Sequence, residues 1–452
     1  MKMTAVVDTV SKLVRHSLLA APIALAPLAA SMMLQSVGFD DLLMGQAQAA
    51  EEQKPQHNTK KTYSLREPVF KEFAKIQKMT DANNWKGALT VLEEIRRNSG
   101  KFTSFEKANL WNYYGWVYYS LENYPKSIEF YDKVLTEPEL SEALRIGTLY
   151  TVAQLKFIQE DYRGAIDKLK QYMKVQPIVG ADVYVLLAQG YYQLNDMKSA
   201  LTNINIAVDQ YESKGNVPKE NWYTLQRAIY YDQNDNKKVI SILEKLIRHY
   251  PNASYWKQLS GMFGAVGRER DQLHAMETAY LMGAVTTESE LLNLAYLMLG
   301  EDVPYKAAKV IDKGMKAGKI AETAKNLEVL ATAWRMAQEI DKSIPELEKA
   351  AQKSGDGDLY ARLAGIYLDS DNNEQALKAG ETALKRGGIK RSDQLYIVLG
   401  MARANLKQYE AAVKAFEQAA KDERSRKFAD QWIQFAKSEL EREKQLALES
   451  NS

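Results

Sequence analysis

The sequence contains no cysteine and only four histidines among its 452 residues. Without cysteine the chain can form neither disulfides nor thiolate metal sites, and it cannot carry a cysteine-linked lipid anchor. The histidines are His16, His57, His249 and His274. No two of them have the H-E-x-x-H spacing of zinc proteases, and an isolated histidine does not make a metal site. The sequence therefore predicts neither a metal nor a cofactor.

An excess of charge of either sign is also missing, because 60 basic residues face 58 acidic ones and the net charge is +2. Nucleic-acid-binding proteins usually carry a concentrated basic stripe, and this chain shows none. Phosphate-binding glycine loops and the G-x-S-x-G motif of hydrolases are absent too. We therefore expect no nucleic-acid partner and no enzymatic activity. The alternative is an enzyme whose site is assembled from residues dispersed along the chain.

Two acidic segments begin like calcium-binding loops, "DSDNNE" at 369–374 and "DQNDNKK" at 232–238. An EF-hand loop requires Gly at its sixth position, where the first segment has Glu374. Asn and Asp also favour turns through hydrogen bonds between their side chains and the backbone. Both segments are therefore predicted to be turns between helices.

Long apolar runs are scarce, and the one that stands out extends from Leu18 to Leu34. Basic residues precede it, and the small-residue sequence Ala-Gln-Ala follows at 47–49. This order predicts a secretory signal over 1–49 and a mature chain in the periplasm. The alternative is an uncleaved membrane anchor, since the run is only slightly short of a membrane span. Residues 50–64 are polar and are predicted to be a flexible lead-in.

The rest of the chain alternates two amphipathic helical patterns with short polar turns. A residue that is usually small recurs near the start of each second helix, at intervals close to about 34 residues. The recurring residues are Ala88, Ser127, Ala165, Ala200, Val239, Gln272, Ala307, Ser343, Ala376 and Ala412. The pattern is weaker at 69–98, where the first helix lacks the small residue, and at 220–251, where Arg227 replaces it.

Several stretches match more than this period. "WNYYGWVYYSLENYPKSIEFYDKV" begins at Trp111, and "YVLLAQGYYQLNDMKSALTNINIA" and "YIVLGMARANLKQYEAAVKAFEQA" follow the same pattern at 184–207 and 396–419. Each has a bulky residue, then Leu or Tyr, then Gly or Ala, then an aromatic or long side chain along the first helix. The chain resembles the tetratricopeptide repeat family on these residues.

This resemblance implies an all-α protein, a right-handed α-solenoid of about ten tetratricopeptide-type helix pairs over 65–424. Residues 425–452 would form a C-terminal capping helix and tail. Phe428, Trp432, Phe435 and Leu440 mark one apolar face of that helix, and the opposite face is charged.

In this family the first helices line a concave groove, at the second, fifth, ninth and twelfth positions when the small residue is the eighth. Carried over to the second to fifth repeats, these positions predict a partner-binding groove rich in amides and aromatic rings. Its residues are Asn109, Asn112, Trp116, Tyr119, Tyr150, Gln154, Phe157, Gln189, Tyr192, Asn221 and Tyr231. Amides can bond the backbone of an extended peptide, and rings can cover its side chains. The alternative is that the rings complete the packing of a wide groove.

The same positions hold no Lys or Arg, so a ligand held by its terminal carboxylate, as in the family's chaperone-tail clamp, is not expected there. The corresponding positions of the later repeats have a less distinctive chemistry. They include Lys257, Gly261, Tyr296, Thr332, Gly365 and Met401.

The whole chain also resembles the periplasmic tetratricopeptide proteins assigned to TonB systems, through its exported N-terminus and the segments 64–77 and 291–320. This resemblance implies a non-catalytic adapter that binds TonB-, ExbB- or ExbD-type proteins and assists uptake through the outer membrane. The alternative scaffold role is in the assembly of outer-membrane proteins, pili or peptidoglycan. Contact with the membrane is expected only through the N-terminal segment, if it is not cleaved.

Overall fold

The computed structural model describes residues 63–450, with side chains described as far as 446. The predicted signal at 1–49 and most of the lead-in at 50–64 lie outside the described residues. Within them every regular element is helical, and no helix is both long and apolar enough to cross a bilayer. The chain divides into two compact units, of which the first ends at Tyr250 and the second begins at Pro251.

The first unit contains five consecutive helix pairs within the described residues. Its helices are α1 (Glu67–Asp81), α2 (Trp85–Arg97), α3 (Ser104–Ser120), α4 (Tyr124–Thr136), α5 (Glu142–Ile158), α6 (Tyr162–Val175), α7 (Ala181–Gln193), α8 (Met197–Glu212), α9 (Glu220–Asp232) and α10 (Asn236–His249). A single 3-10 turn, Ser99–Lys101, precedes α3. Each odd-numbered helix is the first of its pair and packs against the even-numbered helix that follows.

The second unit has five further pairs and one last helix. They are α11 (Ala253–Ala265), α12 (Glu269–Leu281), α13 (Glu288–Gly300), α14 (Pro304–Lys316), α15 (Ala324–Met336), α16 (Ile340–Ser354), α17 (Asp358–Asp369), α18 (Asn373–Arg386), α19 (Ser392–Asn405), α20 (Tyr409–Ala419) and α21 (Glu423–Ser450). Consecutive pairs stack on one another in each unit. The predicted all-α solenoid of about ten helix pairs is confirmed.

Two helix pairs show how a glycine of the first helix allows close packing within the pair. In the pair α3–α4, a Cβ placed on Gly115 would lie only 2.7 Å from the ring of Tyr131. The Ser127 hydroxyl donates a 2.7 Å hydrogen bond to the Gly115 carbonyl oxygen. In the pair α19–α20, a Cβ on Gly400 would lie 2.5 Å from the Phe416 ring. The absence of a side chain on the first helix therefore lets a ring of the second helix reach its backbone.

Two pairs depart from this arrangement where the sequence replaces the small residue. Ile76 of α1 is fully buried, and Arg227 of α9 is half-buried. The helices of these two pairs make the least extensive contact among the ten pairs. Bulk at the crossing point therefore loosens the packing within the pair.

The turn between the two helices has the same backbone conformation in all ten pairs of the described residues. The residue seven positions after the small residue of the first helix has a left-handed conformation, with φ between 54° and 71°. These residues are Asn83, Glu122, Glu160, Asn195, Asn234, Gly267, Asp302, Gln338, Asp371 and Lys407. In the five pairs of the first unit, the next residue is Asn or Asp, and its side chain accepts a hydrogen bond from the backbone of the second helix.

This turn accounts for both acidic segments. Asp235 accepts a 3.1 Å hydrogen bond from the Lys238 backbone and caps α10. Asp371 is the left-handed residue between α17 and α18. Both segments are turns between helices, as the sequence predicted.

Where consecutive repeats touch beyond their stacked pairs, they do so through their first helices. The first helices therefore lie on the inner side of the stack. Helices α7 and α9 contact each other, as do α17 and α19, and α19 and α21. Second helices of the described residues make no contact of comparable extent with one another. The surface of the first helices is therefore the narrower face of each unit, where a groove is expected.

The last helix packs differently from the prediction. Ala429 and Ala436 are fully buried, whereas Phe428 and Phe435 are 44 and 47% exposed. Of the predicted aromatic face, the half-buried Trp432 makes the main core contact, and its ring stacks 5.7 Å from that of Phe416. The small alanine side chains bring α21 close to α20, and this contact turns the phenylalanines towards solvent.

Candidate partner-binding surfaces

The first candidate surface lies in the first unit and is formed by the predicted groove residues of α3, α5, α7 and α9. We refer to it as the amide–aromatic face. The structure places all eleven predicted residues on these first helices, and nine of them have half-buried or exposed side chains. Some are rings packed against other rings, some are amides, some are exposed, and two belong to the core.

The rings of Trp116 and Tyr119 are held by neighbouring aromatic side chains. Trp116 meets the edge of Trp85 at 5.5 Å and lies 6.4 Å from the Tyr113 ring, measured between centroids. Tyr119 lies 6.1 Å from the ring of Tyr124. Both predicted rings are half-buried, so they combine packing with a partly open surface. Trp85 and Tyr113 were not predicted, because they fall outside the four groove positions of the register.

Asn112 and Gln154 each have a buried amide oxygen without a hydrogen-bond donor among the described residues, as does Gln226 outside the predicted groove positions. The Asn112 Oδ1 and the Gln154 Oε1 are buried and accept no hydrogen bond from the described residues. The Nδ2 of Asn109, by contrast, donates a 2.8 Å hydrogen bond to the Phe105 carbonyl oxygen of its own helix. Buried acceptors are satisfied in most proteins, so two orphaned amide oxygens on neighbouring first helices need an explanation.

Tyr150 of α5 contributes a ring and a hydroxyl to the same face. Its ring lies 5.5 Å from that of Tyr172, and the side chain is half-buried. Burial, with a smaller contribution from the Asp182 carboxylate, raises the pKa of Tyr150 to about 12. The hydroxyl therefore keeps its proton at neutral pH and can donate a hydrogen bond.

Phe157 and Tyr192, both at the twelfth position, belong to the core. They are only 8 and 7% exposed. The ring of Phe157 meets that of Tyr162 at 5.6 Å, and the Tyr192 hydroxyl donates to the Asp232 carboxylate at 3.3 Å. In these two repeats the turn or the next repeat covers the twelfth position, whereas Tyr119 and Tyr231, at the same position of other repeats, stay partly open. These two side chains therefore offer a ligand little surface.

Gln189, Asn221 and Tyr231 complete the face on α7 and α9. Gln189 is half-buried, Asn221 is exposed, and Tyr231 is 37% exposed. Exposed rings of this kind are common in protein interfaces because they cover apolar area at a small entropic cost. Tyr231 is therefore the most open ring of the predicted set.

The second candidate surface is a cleft in the second unit, between α15, α16 and α17. Its volume is about 240 Å³. The floor consists of Ala331, Ser343 and Leu347, and the walls of Thr332, Arg335, Arg362, Gly365, Ile366 and Asp369. We refer to it as the α15–α17 cleft. Thr332 and Gly365 were predicted groove positions of indistinct chemistry, and their small size leaves this space open.

The sequence prediction missed the two arginines of this cleft. Arg335 occupies the twelfth position of α15, so the register used for the first unit would have identified it. Arg362 lies between register positions and is brought to the cleft by the packing of α17 against α16. In the described part of the chain, no cluster of three metal-ligating side chains is present.

Comparisons with known proteins agree with the helical-repeat architecture. Residues 393–421, which include most of α19 and all of α20, match the tetratricopeptide repeat family model. No curated protein matches the chain. The chain therefore contains a tetratricopeptide repeat at 393–421, and nine other helix pairs turn in the same way.

Several solved structures are similar to parts of this chain. A tetratricopeptide repeat protein from Parabacteroides merdae is 15% identical over 57% of this chain and 98% of its own, with a TM-score of 0.29. YrrB, described as a TPR protein with an unusual peptide-binding site, is 16% identical over 41% of this chain and 89% of its own, with a TM-score of 0.33. The Cut9–Hcn1 structure is 13% identical over 81 and 83% of the two chains, with a TM-score of 0.28.

Proposed function

We propose that this protein is a non-catalytic scaffold that binds an extended segment of a partner protein on the amide–aromatic face. Tetratricopeptide repeats commonly present such surfaces for protein–protein interaction. The observation that carries the proposal is the pair of orphaned amide oxygens, Asn112 Oδ1 and Gln154 Oε1. An extended peptide offers backbone N–H donors along its whole length and is therefore suited to both amides.

Energetics support this assignment. A buried acceptor that lacks a donor costs about 1–3 kcal/mol, and this cost falls when a ligand supplies the donor. The two amides lie on neighbouring first helices, and the held rings of Trp116 and Tyr119 lie on the same face as Asn112. A bound segment could thus be held by its backbone and covered by rings, while its sequence would be read only weakly.

Photo-crosslinking in cells tests the location of the partner. A photoreactive amino acid replaces Tyr231 on α9 or, as the matched control, Glu244 on α10. Both residues are exposed and belong to the same helix pair, but they lie on different helices. We expect a covalent protein adduct from position 231 and none from position 244.

Equal adducts from the two positions, or an adduct from position 244 alone, would contradict a binding surface on the first helices. A second variant tests the amides directly. Replacing Asn112 and Gln154 by Leu removes the orphaned oxygens, so the stability of the free protein should be maintained while partner capture falls. Unchanged capture would exclude a role for these amides.

The finer proposal is that the scaffold works in the periplasm as an accessory to a TonB–ExbB–ExbD-type complex. Its support is the signal-like N-terminus and the resemblance of segments 64–77 and 291–320. Mass spectrometry of the adduct from position 231 separates the possible roles. A TonB-, ExbB- or ExbD-type protein is expected, whereas an assembly factor for outer-membrane proteins, pili or peptidoglycan would establish the alternative role.

Export has its own test, which does not depend on the partner. The mature protein is isolated from fractionated cells, and its first residues are sequenced. We expect a periplasmic chain that begins at Ala50. A full-length chain in the membrane fraction would establish the retained anchor, and a cytoplasmic chain would contradict both forms of the proposal.

A further inference from the structure

We propose that the α15–α17 cleft binds an acidic side chain in the middle of an extended partner segment. This inference rests on the proposed function, because it assigns a chemical class of ligand to a second part of the same scaffold. It concerns only the second unit, and its residues are distinct from those of the amide–aromatic face.

The cleft is shaped for a short side chain. Gly365 has no side chain, and a Cβ built there would meet no atom within 4 Å. Below it, the Ser343 hydroxyl donates a 2.8 Å hydrogen bond to the Ala331 carbonyl oxygen, which satisfies the polar group of the floor. The remaining floor residue, Leu347, is buried. A ligand therefore meets an apolar, satisfied floor and finds its polar contacts on the walls.

The walls favour a single carboxylate. Arg335 is exposed and pairs with no carboxylate of the described residues, whereas Arg362 is paired with Glu328. Arg335 and Thr332 lie one turn apart on α15, so a guanidinium and a hydroxyl can donate to the same group. Asp369, on α17, repels any negative charge in the cleft, so only a carboxylate that bonds Arg335 directly is favoured there. The cleft is thus suited to one Glu or Asp side chain and not to a highly acidic cluster.

Apolar side chains that are at least partly exposed lie on both sides of the cleft. This favours a ligand whose acidic residue is in the middle of an extended segment and not at its end. Tyr296, at the ninth position of α13, is 46% exposed, and Met336 at the end of α15 is 42% exposed. On the other side, Met401 at the ninth position of α19 is half-buried. A small free carboxylate would leave these side chains uncovered, and a segment ending in the cleft would cover only one side. A segment that continues in both directions covers them all.

Selection from a random peptide library tests this inference even while the natural partner is unidentified. Twelve-residue random peptides are displayed between two linkers, so that no free carboxyl end is presented, and they are selected on the full-length chain. We expect the selected peptides to contain one Glu or Asp flanked by apolar residues. Replacing that residue by Gln or Asn should weaken binding by about tenfold or more.

Two cleft variants, each compared with a control variant, distinguish loss of binding from loss of folding. Arg335→Gln removes the free guanidinium, and Gly365→Leu fills the cleft at a position with open space. The matched controls in the same unit lie on second helices, away from the groove: Arg270→Gln on α12, an arginine that is 86% exposed, and Lys309→Leu, which adds a leucine at an exposed position of α14. We expect the two cleft variants to lose about tenfold or more in affinity, and the controls to bind like the wild type.

The inference would be overturned if the peptides selected from the library were not enriched in acidic residues. It would also be overturned if Arg335→Gln left the affinity for the selected peptides unchanged. Peptides selected only when their own carboxyl end is free would replace it with recognition of a chain terminus. The proposed function is judged separately, by crosslinking at position 231. A positive crosslink with a negative selection would leave the scaffold role in place and remove only the acidic ligand.

Discussion

Gly115 is a position where no side chain fits, whereas Gly261 of α11 faces open space. The variant Gly115→Leu would place its side chain in the space of the Tyr131 ring, because even a Cβ would lie 2.7 Å from that ring. We expect the free energy of unfolding of the first unit to fall by about 2–3 kcal/mol or more. Urea denaturation followed by circular dichroism measures this change.

The matched control is Gly261→Leu, at a helical position where a Cβ meets no atom within 4 Å. Leucine has a higher helix propensity than glycine, so this variant should be as stable as the wild type or more stable by up to about 1 kcal/mol. If both substitutions destabilised equally, the close contact between Gly115 and Tyr131 would not be what holds the pair together.

Glu106 provides a pH-dependent contribution to stability at the start of the solenoid. Its carboxylate is fully buried and accepts a 2.8 Å hydrogen bond from the Arg66 Nε and a 2.9 Å hydrogen bond from the Thr103 backbone. The hydrogen bonds from the Arg66 side chain, assisted by backbone N–H groups and its charge, hold the pKa of Glu106 at about 2. This stabilisation is therefore present above pH about 4, the unfolded-state pKa, and is lost as the pH falls towards about 2.

We expect Glu106→Gln to lower the free energy of unfolding at pH 7 by on the order of 2 kcal/mol. Between pH 5 and pH 3 the variant should lose less stability than the wild type, because one titrating group is gone. Urea denaturation at pH 7, 5 and 3 measures both effects, with the exposed Glu94→Gln as the control. Parallel pH profiles for wild type and Glu106→Gln would show that Glu106 does not titrate as its pKa indicates.

Comparison of single residues shows what the register could and could not predict. The repeat fixes which side chains lie on the first helices, and Trp116 and Tyr231 lie on α3 and α9 with partly open side chains. It does not fix how closely the next repeat covers each one, so Phe157 and Tyr192 could not be recognised as core. The α15–α17 cleft was missed for the opposite reason. It arises from the small size of Thr332 and Gly365, and an absence of bulk is hard to recognise before the packing is known.

At the scale of elements, the last helix covers an apolar surface that the repeat would otherwise leave open. Phe416 is fully buried, and Trp432 of α21 stacks on it. Truncation after Asp422 removes α21, and we expect the free energy of unfolding of the second unit to fall by about 3 kcal/mol or more. Terminal repeats need such a polar-faced cap for solubility.

Truncation after Lys444 is the control, since it removes only the end of α21, where the described side chains are exposed. Thermal unfolding and size-exclusion chromatography distinguish the two truncated proteins. Equal stability of both would indicate that α21 does not act as a cap. Aggregation of the shorter protein alone would agree with the exposed surface around Phe416.

Whole helix pairs were predictable from the sequence because each one repeats the same physical requirement. In most pairs a small residue of the first helix, a buried apolar residue of the second helix and a short turn recur at a constant offset, and each pair hides its apolar face against the next. The character of the capping helix was less predictable. An aromatic stripe at helical spacing suggested the packed face, but Ala429 and Ala436 make the closest contact.

At the scale of the whole molecule, the division of the chain after Tyr250 predicts that the second unit folds and is stable without the first. The second unit has its own apolar core, which extends from Leu273 to Ala415. We expect the segment 251–452, produced alone, to be helical and to unfold in one cooperative transition. Circular dichroism during urea denaturation measures both properties.

The control segment is 267–452, which lacks α11 and leaves α12 without the first helix of its pair. We expect it to unfold at a lower urea concentration, because buried residues such as Leu273 and Met276 lose their cover. If the longer segment were unstructured, or if the two segments were equally stable, the second unit would not be an independent folding unit.

The turn shared by all ten pairs has a consequence for how this chain can diverge from its relatives. Each turn requires a left-handed backbone, yet residues as different as Asn195, Glu160, Gln338 and Lys407 supply it. A left-handed residue other than Gly or Asn costs about 1 kcal/mol, which the surrounding packing must outweigh. The repeats of this chain therefore share the backbone torsion at this position and not the side chain. Relatives of this protein should be easier to recognise by their turn geometry than by their residues, which match the family model only at 393–421.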